Sequence, residues 1–144
     1  MKKIFILAAV VLCLFTIWFY VRHPLVTKVE IRGHIFTVDL AITPQEKERG
    51  LGGRDSLDPD NGLLFPYDHT EQYSFWMKDM RFPIDIIWIR DNQIIDISRN
   101  VPVETKTQLT VYSPKEPVNK VLEINAGISD ANGFQAGDLV TIRN

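Results

Sequence analysis

Residues 83–90 read PIDIIWIR, and this stretch decides the fold class. Successive side chains of a strand point to opposite faces. Ile84, Ile86 and Trp88 therefore share one face, and Asp85, Ile87 and Ile89 share the other. Both faces are apolar, which predicts a central strand covered on both sides. Asp91-Asn92 follows, a two-residue turn whose side chains tolerate positive φ, and the strand pattern resumes at 93–98.

Working outward, the same alternation recurs. Residues 26–32 and 34–40 flank Gly33 and predict a β-hairpin. Further strands are expected at 62–66, 73–78, 107–112, 120–125 and 138–143. The stretch TPQEKERG at 43–50 has a helix signature. Thr43 can cap, Pro44 suits the first helical position, Glu46 completes a capping box, and Gly50 can end the helix with positive φ. A second helical turn is expected at 129–132, bounded by Gly127 and Gly133. Residues 51–61 read as a loop rich in Gly, Asp and Pro. Short strands at about ten-residue spacing predict an α+β, predominantly β fold, a small barrel-like antiparallel or mixed sheet with two short helices.

Residues 4–21, IFILAAVVLCLFTIWFYV, hold one polar member, Thr16. At 1.5 Å rise they reach about 27 Å, enough to span a bilayer core. The run ends in Trp18, Phe19 and Tyr20, suited to a membrane interface, with no small-residue cleavage site. Leu12 is too large for the position before a lipidated Cys13. The expectation is an N-terminal transmembrane helix, an uncleaved anchor over 1–24, and a single exported domain over 25–144. Lys2 and Lys3 ahead of the run favour a cytoplasmic N-terminus and an extracytoplasmic C-terminal domain.

Charge narrows the function. The chain of 144 residues has a net charge of −2, and because Lys2 and Lys3 precede the apolar run, the part after it carries −4. Nucleic-acid binding by a basic face is disfavoured. The single cysteine, Cys13, lies inside the apolar run, so the domain has no disulfide, thiolate zinc site or cysteine nucleophile. His34 and His69 lack a metal-ligand spacing. Met77 and Met80 form an M-x-x-M pair that copper(I) could use, and core packing explains them as well. No metal and no cofactor are expected.

The strings GLGGRDSL (50–57), GLLF (62–65), FWMKDMRFPIDIIWI (75–89), VLEINAG (121–127) and GFQAGDLV (133–140) resemble, in order and spacing, the domain of unknown function family 192. The resemblance covers about 29–143. It implies a compact, mostly β domain, often behind an N-terminal signal or anchor, and no activity. The family commonly has Met at the position of Gly52 and an Asn-Thr type pair at Asp79-Met80.

Five residues are candidates for chemistry. Asp85 stands on an apolar strand, where a carboxylate needs a partner or its pKa rises. It reads as an acid/base or ligand anchor, or else as a carboxylate held by an ion pair or loop amides. Glu123 alternates with Leu122 and Ile124 and can face Lys78, Arg54 or Arg49. Trp76 and Lys78 can line a pocket, or they can be a core tryptophan and a surface lysine. Arg54, in a glycine-rich loop, is expected to be partly buried and to bond loop carbonyls or one acid among Asp55, Asp58, Asp60, Asp85 and Glu123. Three functions follow as expectations. The first is a membrane-anchored extracytoplasmic binding module for a small polar ligand or envelope partner, its site at Trp76, Lys78, Asp85, Glu123 and Arg54. The second is a hydrolase or lyase with Asp85 and Glu123 as acid and base, and the third a scaffold for a membrane partner. No recognisable catalytic constellation favours an enzyme.

Overall fold

The structure is a computed structural model that describes residues 12, 13, 26–104 and 110–143. The expected span over 4–21 falls outside these residues, apart from Leu12 and Cys13, and so does most of the segment 105–110. Among the described residues no helix is long and apolar enough to cross a membrane.

Nine strands and two short helices are described: β1 (Thr27–Ile31), β2 (His34–Leu40), α1 (Pro44–Arg49), β3 (Asn61–Glu71), β4 (Phe75–Trp76), β5 (Ile84–Arg90), β6 (Gln93–Val101), β7 (Val111–Tyr112), β8 (Val118–Asn125), α2 (Ile128–Ala131) and β9 (Val140–Arg143). Seven strands form one sheet in the order β6-β5-β8-β3-β2-β1-β9, and β4 pairs with β7 in a separate ribbon. Only the β2–β3 pair is parallel; the stretch between them contains α1. The large sheet curls into a half barrel, and its two edges meet at one end. There Ile94 N–H donates to Asp138 O at 2.9 Å, and Val140 N–H donates to Asn92 O at 2.9 Å. These bonds satisfy part of two edges that would otherwise offer unpaired backbone groups.

Local chemistry sets the elements. The β1–β2 hairpin closes on Arg32 and Gly33, both with positive φ (50° and 82°), which suits the twist of the flanking strands. Thr43 accepts from Glu46 N–H at 3.2 Å and Glu46 returns the bond to Thr43 N–H at 2.8 Å, so the expected capping box forms.

β5 is the central strand that its sequence demands, between β6 and β8. Ile84, Ile86 and Trp88 bury into one apolar cluster with Phe65, Phe75 and Val121. Ile87 and Ile89 bury into a second cluster with Phe36, Leu122 and Ile124. Burial of each such side chain contributes about 1.5–3 kcal/mol relative to exposure. Trp88, the largest fully buried residue, donates from Nε1 to Ser98 Oγ at 3.0 Å.

Two strands differ in length from the sequence expectation. The strand expected at 62–66 runs on to Glu71, because an irregularity between Pro66 and Glu71 accommodates the missing proline N–H. The strand expected at 73–78 contracts to Phe75–Trp76, since residues 77–80 turn, with Asp79 at φ 57°.

Candidate functional site

The two buried carboxylates lie one register step apart on neighbouring strands. Asp85 on β5 is opposite Ile124, and Ile86 is opposite Glu123 on β8. Opposed residues share a face, so Asp85 and Glu123 point to opposite faces of the sheet. They do not converge, and an acid–base pair built from both has no common substrate position.

Asp85 is wholly buried and fully engaged. Its Oδ1 accepts from Asn100 N–H at 2.7 Å and Gly127 N–H at 3.3 Å, and Oδ2 accepts from Ser129 N–H at 2.9 Å. Helix α2 has no side-chain cap of its own. Asp85 therefore supplies from across the sheet the acceptor that orphan amides at a helix start require. The reading of a carboxylate bonded to loop amides describes it.

Glu123 is in the opposite condition. It is 4% exposed, in a row with Leu63 and Ile86, under the end of α1. The backbone N–H of Leu51 donates to its carboxylate, while Oε2 has no hydrogen-bond partner among the described residues. Burial pushes its pKa up to about 8; the Leu51 hydrogen bond and then the positive charge of Arg54 oppose that rise. At neutral pH this carboxyl is mostly protonated, able to donate as well as accept.

Glu123 lines a cavity of about 240 Å³. Its walls are Leu51, Tyr67, Phe75, Trp76, Met80 and Val111, with Lys47, Glu48, Arg49 and Ser74 as the polar members. Trp76 on β4 and Val111 on β7 are paired and stay 46% and 59% exposed. Phe75 packs edge-on against Phe65 and Trp88, at 4.9 and 5.4 Å between centroids. Tyr67 stacks on Tyr73 at 3.6 Å, and Lys47 Nζ lies 4.2 Å from the Tyr67 centroid. Burial, followed by the neighbouring Tyr73 and Glu123, raises the Tyr67 phenol well above its ordinary range, so it stays protonated.

Glycine makes the room. Gly50 has φ 55° and ψ −136°, a conformation that side chains avoid, and a Cβ there would lie 3.3 Å from Glu123 Oε2. A Cβ on Gly52 would lie 2.8 Å from Arg49 O and 2.9 Å from Lys78 O, so the loop after α1 presses on the 78–79 turn. Gly53 N–H also donates to Asp79 O at 2.9 Å. Asp79 adopts positive φ, which Asp tolerates better than most side chains. The M-x-x-M residues are core: Met77 is 1% exposed, and Met80 is a buried cavity wall.

The structure thus brings together Trp76 and Glu123. Lys78 lines an adjoining polar cavity with Gln45, Glu48 and Arg81, its Nζ 5.8 Å from the Trp76 ring centroid. Arg54 lines a third cavity with Asp39 and Glu46. As expected it is partly buried and ion-paired, but its partner is Asp39 on β2, at 2.9 Å, an acid outside the expected set. Asp85 faces away. Sequence reasoning named Arg49 only as one cation that Glu123 can face, although it borders all three cavities, and missed Tyr67, which follows the proline that seemed to end its strand. The one local signal for the site was Gly50, placed after a capped helix.

Residues 27–142 match the family described as "Uncharacterized ACR", DUF192. The chain belongs to this family. A crystal structure of a protein of unknown function from Novosphingobium aromaticivorans DSM 12444 is similar to the chain, with 30% identity and a TM-score of 0.74 over 83% of this chain and 89% of that one. A protein from Sinorhizobium meliloti 1021, proposed to be a transcription regulator, has 34% identity and a TM-score of 0.72 over 80% and 92% of the two chains. No curated protein matches the chain. The DUF192 member thus shares its fold with two structures that assign it no chemistry.

Proposed function

We propose that this DUF192 protein is a membrane-anchored, extracytoplasmic binding module whose ligand site is the Glu123 cavity. One observation carries the binding reading: a carboxyl buried to 4% exposure, with one oxygen unpartnered among the described residues, lines an open, largely apolar cavity. A buried polar group without a partner costs about 1–3 kcal/mol, and a hydrogen bond from or to a ligand would recover it. Apolar walls with a few convergent polar groups are the usual composition of small-molecule sites. The apolar run 4–21 behind Lys2 and Lys3 supports the anchor and the orientation.

A regulator that grips nucleic acid through a basic face is not favoured, since the chain after residue 21 carries −4. A hydrolase or lyase reading has lost its pair and rests on Glu123 alone. A scaffold for a membrane partner remains a lesser reading, motivated by exposed Leu40 and Ile42.

Thermal unfolding of the full chain in detergent against a small-molecule panel tests the binding reading. A ligand that raises the midpoint in the parent but not in Glu123→Leu supports it. A panel that never moves the midpoint, or moves both proteins equally, counts against it. Protease protection in sealed inverted vesicles tests the orientation, because an extracytoplasmic domain is shielded there.

A further inference from the structure

Resting on that reading, we infer that the Glu123 cavity holds one pyranose ring of a saccharide, stacked on Trp76 and hydrogen-bonded through a hydroxyl to the Glu123 carboxyl. Four features restrict the occupant. Glu123 Oε2 is buried and lacks a partner among the described residues, and a protonated carboxyl both donates and accepts, so the occupant must bring a hydrogen-bonding group that can do either. Trp76 is half exposed where it borders the cavity, so the occupant needs an apolar face to lie against it. A cavity of about 240 Å³ lies just below the usual range of ligand sites, about 300–1,000 Å³, and suits a single ring with its substituents. Lys47 and Arg49 border this cavity, so cations outnumber its one rim acid, Glu48.

Other small-ligand classes fail one of these conditions. An organic amine supplies the donor but meets the cationic rim. An acyl chain or unsubstituted aromatic ring suits Trp76 and leaves Oε2 unsatisfied. A free carboxylate or phosphate suits the cations and has no apolar face for Trp76. A pyranose has a C–H face for the indole, hydroxyls that donate to or accept from Glu123, and oxygens that accept from Lys47, Arg49 or Ser74. The exposed Trp76–Val111 pair lies at the solvent side, where a glycosidic bond can lead out. The same chemistry fits a free monosaccharide or the end of a glycan.

The test uses the full chain in a zwitterionic, sugar-free detergent. Glucose, galactose, mannose and N-acetylglucosamine, each with its methyl glycoside, are compared with putrescine, benzamide and succinate. Saturation-transfer NMR and the thermal midpoint read binding. At least one sugar is expected to bind. Trp76→Ala should weaken it about tenfold, Glu123→Leu should abolish it, and Glu123→Gln, which keeps an acceptor and a donor, should stay within about threefold. Equal binding of the methyl glycoside identifies a glycan end, and its exclusion identifies a free sugar. Circular dichroism confirms that each variant is folded. Glu123-dependent binding of a non-sugar with no sugar bound overturns the saccharide class and leaves the binding reading standing. Sugar binding that survives Glu123→Leu overturns the site. No binding across both panels overturns both.

Discussion

Asp85 and Glu123 are a natural experiment in what a buried carboxylate is for. They sit on adjacent strands, both removed from solvent, and each is flanked by isoleucine or leucine in sequence. Asp85 meets three backbone amides, from the end of β6 and the start of α2. Glu123 meets one, from Leu51, leaves its second oxygen without a partner among the described residues, and lines a cavity. The first carboxylate closes the fold. The second carries an unmet hydrogen-bonding demand. Buried charge therefore does not mark a site by itself; the partner count separates scaffold from site.

The largest effect is expected at Asp85. Asp85→Ala strips three buried or half-buried amides of their acceptor and leaves a void, at a cost of about 3–5 kcal/mol. Urea unfolding measures it. A loss below about 1 kcal/mol would break the contrast, because Asp85 would then hold nothing together.

Glu123 should respond in the opposite sense, and only with pH. Its folded pKa of about 8 exceeds the unfolded value near 4.5, so the native state binds more protons between those values. Stability should therefore fall as pH rises from about 4.5 to about 8, then level off. Glu123→Gln mimics the protonated form and removes this slope. It should be more stable than the parent at pH 9, by up to the order of 4 kcal/mol, and nearly equal at pH 5. Parallel stability curves for the two proteins across that range would show that Glu123 is not held neutral by the fold.

Much of this contrast was hidden from sequence for a definable reason. The hairpin at Arg32-Gly33, the Thr43–Glu46 box and the two-faced strand at 83–90 are encoded within a few residues, by turn chemistry and period. Whether Asp85 and Glu123 share a face depends on which strands pair and in what register, and β5 and β8 are more than 30 residues apart. The same holds for Arg54, whose partner Asp39 was passed over because it sits on another strand. Asp85 could be guessed as a carboxylate for loop amides, since Gly127 and Gly133 flagged a turn needing an acceptor. Glu123 could not be assigned a cavity, because its walls come from α1, β3, β4 and β7.

Gly50 lies between these two kinds of information and gives an intermediate effect. Its φ and ψ are a local property; its nearness to Glu123 is not. Gly50→Ala should cost about 1–3 kcal/mol through backbone strain alone. It also places a methyl 3.3 Å from Oε2, so it should occlude the cavity. Differential scanning calorimetry reads the first consequence, and loss of a ligand-induced shift reads the second. A variant as stable as the parent would show that the positive φ is not required.

The smallest effect is expected at Arg54, where the two carboxylate regimes can be connected. Its ion pair with Asp39 is half exposed, 39% and 66% for the two side chains. Pairs of this kind contribute about 0.2–1 kcal/mol. Arg54→Lys keeps the charge and loses the planar fork, so its effect on the thermal midpoint should be small. Charge, however, reaches Glu123: the Arg54 cation holds the Glu123 pKa below where burial alone would put it. Arg54→Ala should therefore raise that pKa further, while Arg54→Lys should leave it close to the parent value. Carbon-detected NMR of the Glu123 carboxyl through a pH titration distinguishes the cases. If Ala and Lys behave alike, the coupling runs through loop packing and not through charge, and Arg54 belongs with Asp85 among the residues that only hold the fold.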